Sequence, residues 1–128
     1  MIEYETLVCG KRFEIRVLRQ PQEKEAIAVQ YIESVPERQR KKLISAIQFV
    51  ADNGPPYNTE KCRRITGCHN LLELKEKPHR LMWFYSKGER GVIVITHGFR
   101  KKGDKTPQGE IDRAIGLRDQ YSPRPQKT

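Results

Sequence analysis

Cysteine is scarce in this 128-residue chain: Cys9, Cys62 and Cys68 are three in number, an odd count too small for a disulfide framework. Plain thiols in a reducing compartment are expected. Long apolar runs are also missing. Nothing approaches the roughly 20 residues needed to cross a bilayer, and residues 1–10 lack a basic stretch followed by an apolar one. A soluble cytoplasmic protein with no membrane partner is therefore expected. The chain has no glycine-rich phosphate loop, no nucleophile elbow and no zinc-protease helix motif. Cys62, Cys68 and His69 have no second ligand pair at zinc-like spacing, so neither a metal nor a cofactor is expected.

Acidic residues are in the minority, 16 against 25 lysines and arginines, for a formal charge of +9. The excess is local: residues 60–105 carry 12 basic and 5 acidic residues, whereas the flanking segments are nearly balanced. A polyanion such as nucleic acid is the partner this distribution fits, with the middle segment as the anion-binding part. A chain of this length suits one domain, expected over residues 1–121, with 122–128 a disordered tail.

Alternation of Phe13, Ile15 and Val17 with Glu14 and Arg16 predicts a first strand over residues 12–18. Residues 22–35 predict a helix, with acids at its front and Ile27, Tyr31, Ile32 and Val35 along one face. Ser34 and Glu37 have the spacing of a capping box for a second helix, with Pro36 in its first turn and Gly54-Pro55-Pro56 as its stop. Its predicted core stripe is Leu43, Ile44, Ile47, Val50 and Ala51. Leu72 and Leu74 then alternate with Glu73 and Lys75, predicting a strand with leucines in and charges out. Residues 80–85 and 92–96 predict two more, the second a central strand covered on both faces. Thr106-Pro107 reads as the cap and first residue of a third helix, with Ile111, Ala114 and Ile115 inward. The order β-α-α-β-β-β-α, with short links between strands, predicts an α+β domain: a small, mostly antiparallel sheet with helices packed on one face.

The basic residues cluster at strands and strand ends: Arg63, Arg64, Lys75, Lys77 and Arg80, then Arg100, Lys101, Lys102 and Lys105. Guanidinium forks and compact ammonium charges can hold a phosphate backbone and stabilise charge on a reacting phosphate; they can equally form a solvated surface. Glu73 among these cations reads either as a base or as their counter-ion. His79 and His97 can titrate near neutrality, although a satisfied structural role is the commoner fate. Trp83, Phe84 and Tyr85 can stack on bases, but alternation sends at least one of them into the core.

The string LLELKEKPHRLMWFY, a short turn and VIVITHGFRKKGDKTPQGEIDRAI resembles the RelE/HigB toxin superfamily, in particular its phage-derived, HigB-like branch. The agreement runs from about Leu71 to Tyr121 and is most specific where His-Gly-Phe-Arg-Lys-Lys precedes Lys-Thr-Pro. The resemblance implies a RelE-like fold and a toxin of a type II toxin–antitoxin pair. It implies a metal-independent mRNA endoribonuclease acting on ribosome-bound message, in which the ribose 2′-hydroxyl attacks the adjacent phosphate. Arg80 and Arg100 match its phosphate-binding arginines. Glu73 falls where some branches place a catalytic group, Lys102 is a further catalytic candidate, and Lys75, Lys77, Lys101, Lys105 and Arg64 are RNA-binding candidates. The tyrosine or histidine often used near the C-terminus has no counterpart, since Thr106-Pro107 occupies that neighbourhood and Tyr121 lies too far along. The implied partners are mRNA, the ribosome and a cognate antitoxin, often of helix-turn-helix type. The related ParE branch, which inhibits gyrase, supplies a non-nuclease alternative.

Overall fold

In the computed structural model, which describes residues 2–56, 58–103 and 105–123, the chain forms β1 (Glu3–Cys9), β2 (Glu14–Arg19), α1 (Ile27–Ser34), α2 (Glu37–Asn53), β3 (Cys62–Arg64), β4 (Leu72–Glu76), β5 (His79–Tyr85), β6 (Val92–Arg100) and α3 (Gln108–Gln120). The six strands make one mixed sheet in the order β1-β2-β6-β5-β4-β3. Neighbours run antiparallel except for the β2–β6 pair, which is parallel. The α+β class and the β-α-α-β-β-β-α core are as the sequence predicts, and two edge strands, β1 and the three-residue β3, are added to it.

Alternation sorts the core into two faces. Ile15, Val17, Leu74, Leu81, Trp83, Ile93 and Ile95 pack with Ile32, Leu43, Ile47 and Val50 of α1 and α2. On the opposite face Leu18, Phe84, Val92 and Val94 pack with Leu117, and Ile65, Leu71, Met82 and Phe99 with Ala114. The helices are thus not all on one face: α1 and α2 cover one and α3 the other. A sheet whose central strand is buried over Val92–Phe99 needs cover on both sides.

Several boundaries differ from expectation for local reasons. The acids Glu23 and Glu25 precede α1, which begins at Ile27. Ser34 donates to the carbonyl of Tyr31 at 2.6 Å instead of capping α2, so Pro36 takes the N-cap position without a side-chain bond. Ile44, expected in the core stripe, is half-exposed (51%), while Leu43, Ile47, Val50 and Ala51 are buried. Gly54 ends α2 as expected, at φ +84°. The expected tail begins at Ser122 and Pro123, while its last five residues, 124–128, lie outside the described part.

An irregularity in β6 matters for everything downstream. Met82 pairs with His97 and Trp83 with Ile95, so Thr96 is an extra residue of the kind that inverts side-chain alternation along a strand. Its hydroxyl donates to the Met82 carbonyl at 3.2 Å. Beyond this point His97 and Phe99 face α3, and Gly98 meets Tyr31 of α1. A Cβ at Gly98 would lie 2.4 Å from Tyr31 Cδ2 and 2.9 Å from Leu81 Cδ2. Gly98→Ala is therefore expected to destabilise the fold by about 1–3 kcal/mol, since a packed core accommodates an added methyl poorly; urea unfolding followed by circular dichroism measures this.

Candidate functional site

The candidate site lies at one end of the sheet, where the β4–β5 turn meets the end of β6. A backbone bond from Lys101 N–H to the Pro78 carbonyl, 2.9 Å, holds the two together. Cross-strand pairing places Arg63 opposite Glu73 and Lys75 opposite Arg80, so all four side chains share the face that α3 covers further along. Glu73 is fully buried (0%) and Arg80 nearly so. One Glu73 oxygen accepts from Arg80 Nε at 3.0 Å, and the other accepts a short bond from the Thr106 hydroxyl. Thr106 in turn accepts from Arg63 Nη2 at 3.2 Å, and Arg80 Nη1 donates to the His79 carbonyl at 3.0 Å. Arg63 Nε is buried with no hydrogen-bond partner among the described residues.

This arrangement corrects two expectations. The charges of β4 are not all outward: Glu73 is buried, because a cation from the next strand and a hydroxyl from the loop before α3 replace its water. Thr106 caps no helix; Pro107 takes the N-cap position of α3, and the hydroxyl is spent on Glu73. Glu73, out of contact with solvent, fixes the directions of Arg80 and Thr106, and through Thr106 that of Arg63. Lys75 sits at the rim. Its ammonium loses its proton more easily than an ordinary lysine, first through partial burial and then through the charges of Arg63, Arg80 and Lys101, against which Glu73 works. Four cations around one buried carboxylate leave a surplus of positive charge, an environment suited to a phosphate.

Arg100 is not brought to this cluster. It pairs with His79, which shares the α1–α2 face with Leu81 and Trp83; the extra residue Thr96 turns Arg100 to that same face, whereas uninterrupted alternation from Val94 would have put it on the face of Arg80. There His79 is buried between Tyr31, whose hydroxyl meets Nδ1 at 2.5 Å, and Gln39, whose Oε1 meets Nε2. The Gln39 oxygen accepts, so Nε2 carries the proton and Tyr31 donates to Nδ1. Burial, then the charges of Arg100 and Arg80, make this imidazole harder to protonate. Burial likewise makes the Tyr31 hydroxyl a weaker acid than usual. Arg100 itself is exposed at the strand end, next in sequence to Lys101.

Of the remaining candidates, Lys77 is exposed in the β4–β5 turn, Arg64 is exposed at the end of β3, and Lys102 and Lys105 are exposed on the loop before α3. Trp83 and Phe84 are core residues on opposite faces, which removes them as base-stacking platforms. His97 is fully buried, with Nδ1 3.0 Å from Thr96 Oγ1 and Nε2 3.1 Å from Glu110 in the first turn of α3. Burial foremost, then Arg113, makes it harder to protonate. Among the described residues no three His, Cys, Asp or Glu side chains come together as metal ligands. Burial pushes the Cys62 thiol up to about 11.

At the far end of α3 a second polar cluster has no counterpart in the sequence reading. Arg16, nearly buried, donates to Glu14 at 2.8 Å, to Glu89 at 2.7 Å and to the Tyr121 hydroxyl at 2.7 Å, and its guanidinium lies 4.6 Å from the Tyr4 ring centre. Burial opposes the charge on Arg16, but these acceptors outweigh it and hold the proton more firmly than in an ordinary arginine. Tyr121 is thereby committed to fastening the helix end.

Two predictions follow from these clusters. Glu73→Ala leaves the Arg80 guanidinium buried without its carboxylate and is expected to cost about 3–5 kcal/mol, most of it regained when both residues become leucine; denaturant unfolding of the two variants measures this. His79 and His97 bind protons less readily folded than at the ordinary value of 6.5. As pH falls through that value the unfolded chain takes up protons first, so the melting temperature is expected to drop between about pH 7.5 and about pH 5.5, with a smaller slope in His97→Gln.

A family model described as phage-derived protein Gp49-like (DUF891) matches residues 30–119, a span that holds α2, the whole β3–β6 meander and the cluster around Glu73. Among solved structures the chain is similar to a chain of the RelB–RelE antitoxin–toxin complex from Methanococcus jannaschii. The identity is 15% and the TM-score 0.47, over 57% of this chain and 82% of that one. No curated protein matches it significantly. Among the described residues no helix is long and apolar enough to cross a membrane. With well over half of its length matched, the chain belongs to the phage-derived Gp49-like family.

Proposed function

We propose that the protein is the toxin of a type II toxin–antitoxin pair, of the HigB-like kind, and acts as a metal-independent endoribonuclease on ribosome-bound mRNA. The observation that carries this reading is the convergence of Arg63, Lys75, Arg80 and Lys101 around the buried Glu73. Support also comes from the resemblance of residues 71–121 to RelE/HigB toxins.

On this reading a backbone phosphate sits at the rim formed by Lys75 and Lys101, with Arg80 behind it. As the 2′-oxygen bonds to phosphorus and the 5′-oxygen of the next nucleotide leaves as a hydroxyl, giving a 2′,3′-cyclic phosphate, the cations stabilise the charge that builds on the phosphate. Lys75, whose proton is the more loosely held, is the candidate to exchange protons with the reacting oxygens. Glu73 is a positioning residue: it aligns Arg80 and Thr106 and touches no RNA. Arg100, Lys77, Lys102, Lys105 and Arg64 supply charge along the same sheet end and the loops around it, where an extended strand of message passes. A cognate antitoxin completes the pair.

Removing Arg80 outright strands Glu73 as a buried carboxylate, so substitutions at the rim test the reading more cleanly. Expression of the wild type in bacteria is expected to arrest growth and produce new mRNA 5′ ends, mapped by sequencing. Lys75→Ala with Lys101→Ala is expected to lower cleavage by about 100-fold or more, in line with the loss of charge stabilisation or proton transfer, at unchanged soluble yield. Arg80→Lys, which keeps the charge and loses the fork, is expected to fall between them. Growth arrest with intact mRNA and damaged DNA would instead identify a gyrase inhibitor of the ParE kind.

A further inference from the structure

The other side of the molecule carries a groove of about 660 Å³ that the reading above does not use. Two adjacent rows of α2 form one wall: Lys41, Ser45 and Phe49, and Lys42, Ala46 and Val50, each row stepping by four residues along the helix. Leu74, Lys75 and Glu76 of β4, with Lys61 and Pro56, form the other. The floor is apolar, and Phe49 stands half-exposed (51%), as Ile44 does elsewhere on the same helix. The rim is basic. Lys41 pairs with Glu37 at 3.6 Å and Lys61 with Glu76 at 3.7 Å. Lys42 and Lys75 have no carboxylate within 4 Å among the described residues.

We propose that this groove docks an acidic amphipathic helix of a partner protein. The apolar side of such a helix fills the trough over Ala46, Phe49, Val50 and Leu74, and its carboxylates meet Lys41, Lys42 and Lys61. Helix-in-groove recognition needs this combination of an apolar floor and a charged rim, with the complementary charges setting orientation and partner choice. The chemistry fits RNA less well. The lining contains no arginine to fork a phosphate, Glu76 repels one, and Phe49 is the one aromatic among the described lining residues where a strand of bases needs several. Strand β4 serves both sides: Leu74 and Glu76 line the groove, while Glu73 and the Lys75 side chain belong to the cluster on the opposite face. Docking itself does not depend on the nuclease reading.

The test uses the full chain and a fluorescein-labelled helical peptide of about 18 residues, with leucines along one face and glutamates elsewhere, followed by fluorescence anisotropy at low salt. Saturable binding in the micromolar range is expected, typical of a small interface. Phe49→Asp and Lys42→Glu, both at exposed positions, are each expected to weaken it by about ten-fold or more, with circular dichroism unchanged. A peptide carrying lysines in place of the glutamates is expected not to bind. Lys101→Ala, on the far side, is expected to leave peptide affinity intact even where it abolishes cleavage, which separates the two readings. Absence of saturable binding overturns the proposal, as does binding indifferent to both groove substitutions. Displacement of the peptide by a short single-stranded RNA whose own affinity falls with Phe49→Asp assigns the groove to RNA and also overturns it.

Discussion

The whole sheet hangs on the parallel pairing of β2 with β6. The first two strands form a hairpin and the last four an antiparallel meander, and this one ladder joins them. Parallel strands cannot be linked by a tight turn, so the chain must leave the sheet between them. It does so through α1 and α2, which cross one face to the far edge of the sheet, where β3 begins the meander that ends in β6. The position of β6 follows: flanked by β2 and β5, covered by helices on both faces, it is buried from Val92 to Phe99. The ends of the strands are what such a sheet leaves accessible, and the cationic cluster is assembled at one of them.

That cluster illustrates how a buried carboxylate organises positive charge. A surface lysine or arginine explores many rotamers, and fixing it costs entropy. Glu73, fully buried, accepts two bonds whose donors lie 7 and 33 residues away in sequence, so Arg80 and Thr106 are oriented before any ligand arrives. Among the described residues, the surrounding Arg63, Lys75 and Lys101 form no ion pair with a second acid. Groove and cluster meet along β4, whose Leu74 and Glu76 line the one and whose Glu73 and Lys75 belong to the other.

Much of this architecture was legible in the chain. Alternation gave β2 its span to within a residue or two, Gly54 its place after α2, and the apolar run from Val92 its central position. Two strands were not legible. Most of β1 is exposed along the sheet edge, so its pattern carries little apolar signal, and β3 is three residues long. The buried charges were the deeper difficulty. Glu73 and Arg16 sit in strands where a charge ordinarily marks the wet side, and the partners that make burial tolerable come from other strands and from α3. The extra residue at Thr96 was invisible for a similar reason: nothing in a β-branched run shows where the ladder skips. Yet that skip decides which face receives Arg100.

Helix α3 is attached in an uncommon way. Its apolar contribution to the fold is modest, with Ala114 and Leu117 as its buried residues, and polar contacts hold it from end to end: Thr106 on Glu73 just before it, Glu110 on His97 in its first turn, and Tyr121 on Arg16 just after it. A helix joined mainly by hydrogen bonds and charge forms a separable unit of local stability. Its detachment would uncover Met82, Phe84 and Val94 and release the fastening of Glu73 in the same motion. The layer that protects half of the core is thus also the latch of the cationic cluster, so any opening of this one element would couple solvent access to the interior with the order of the site.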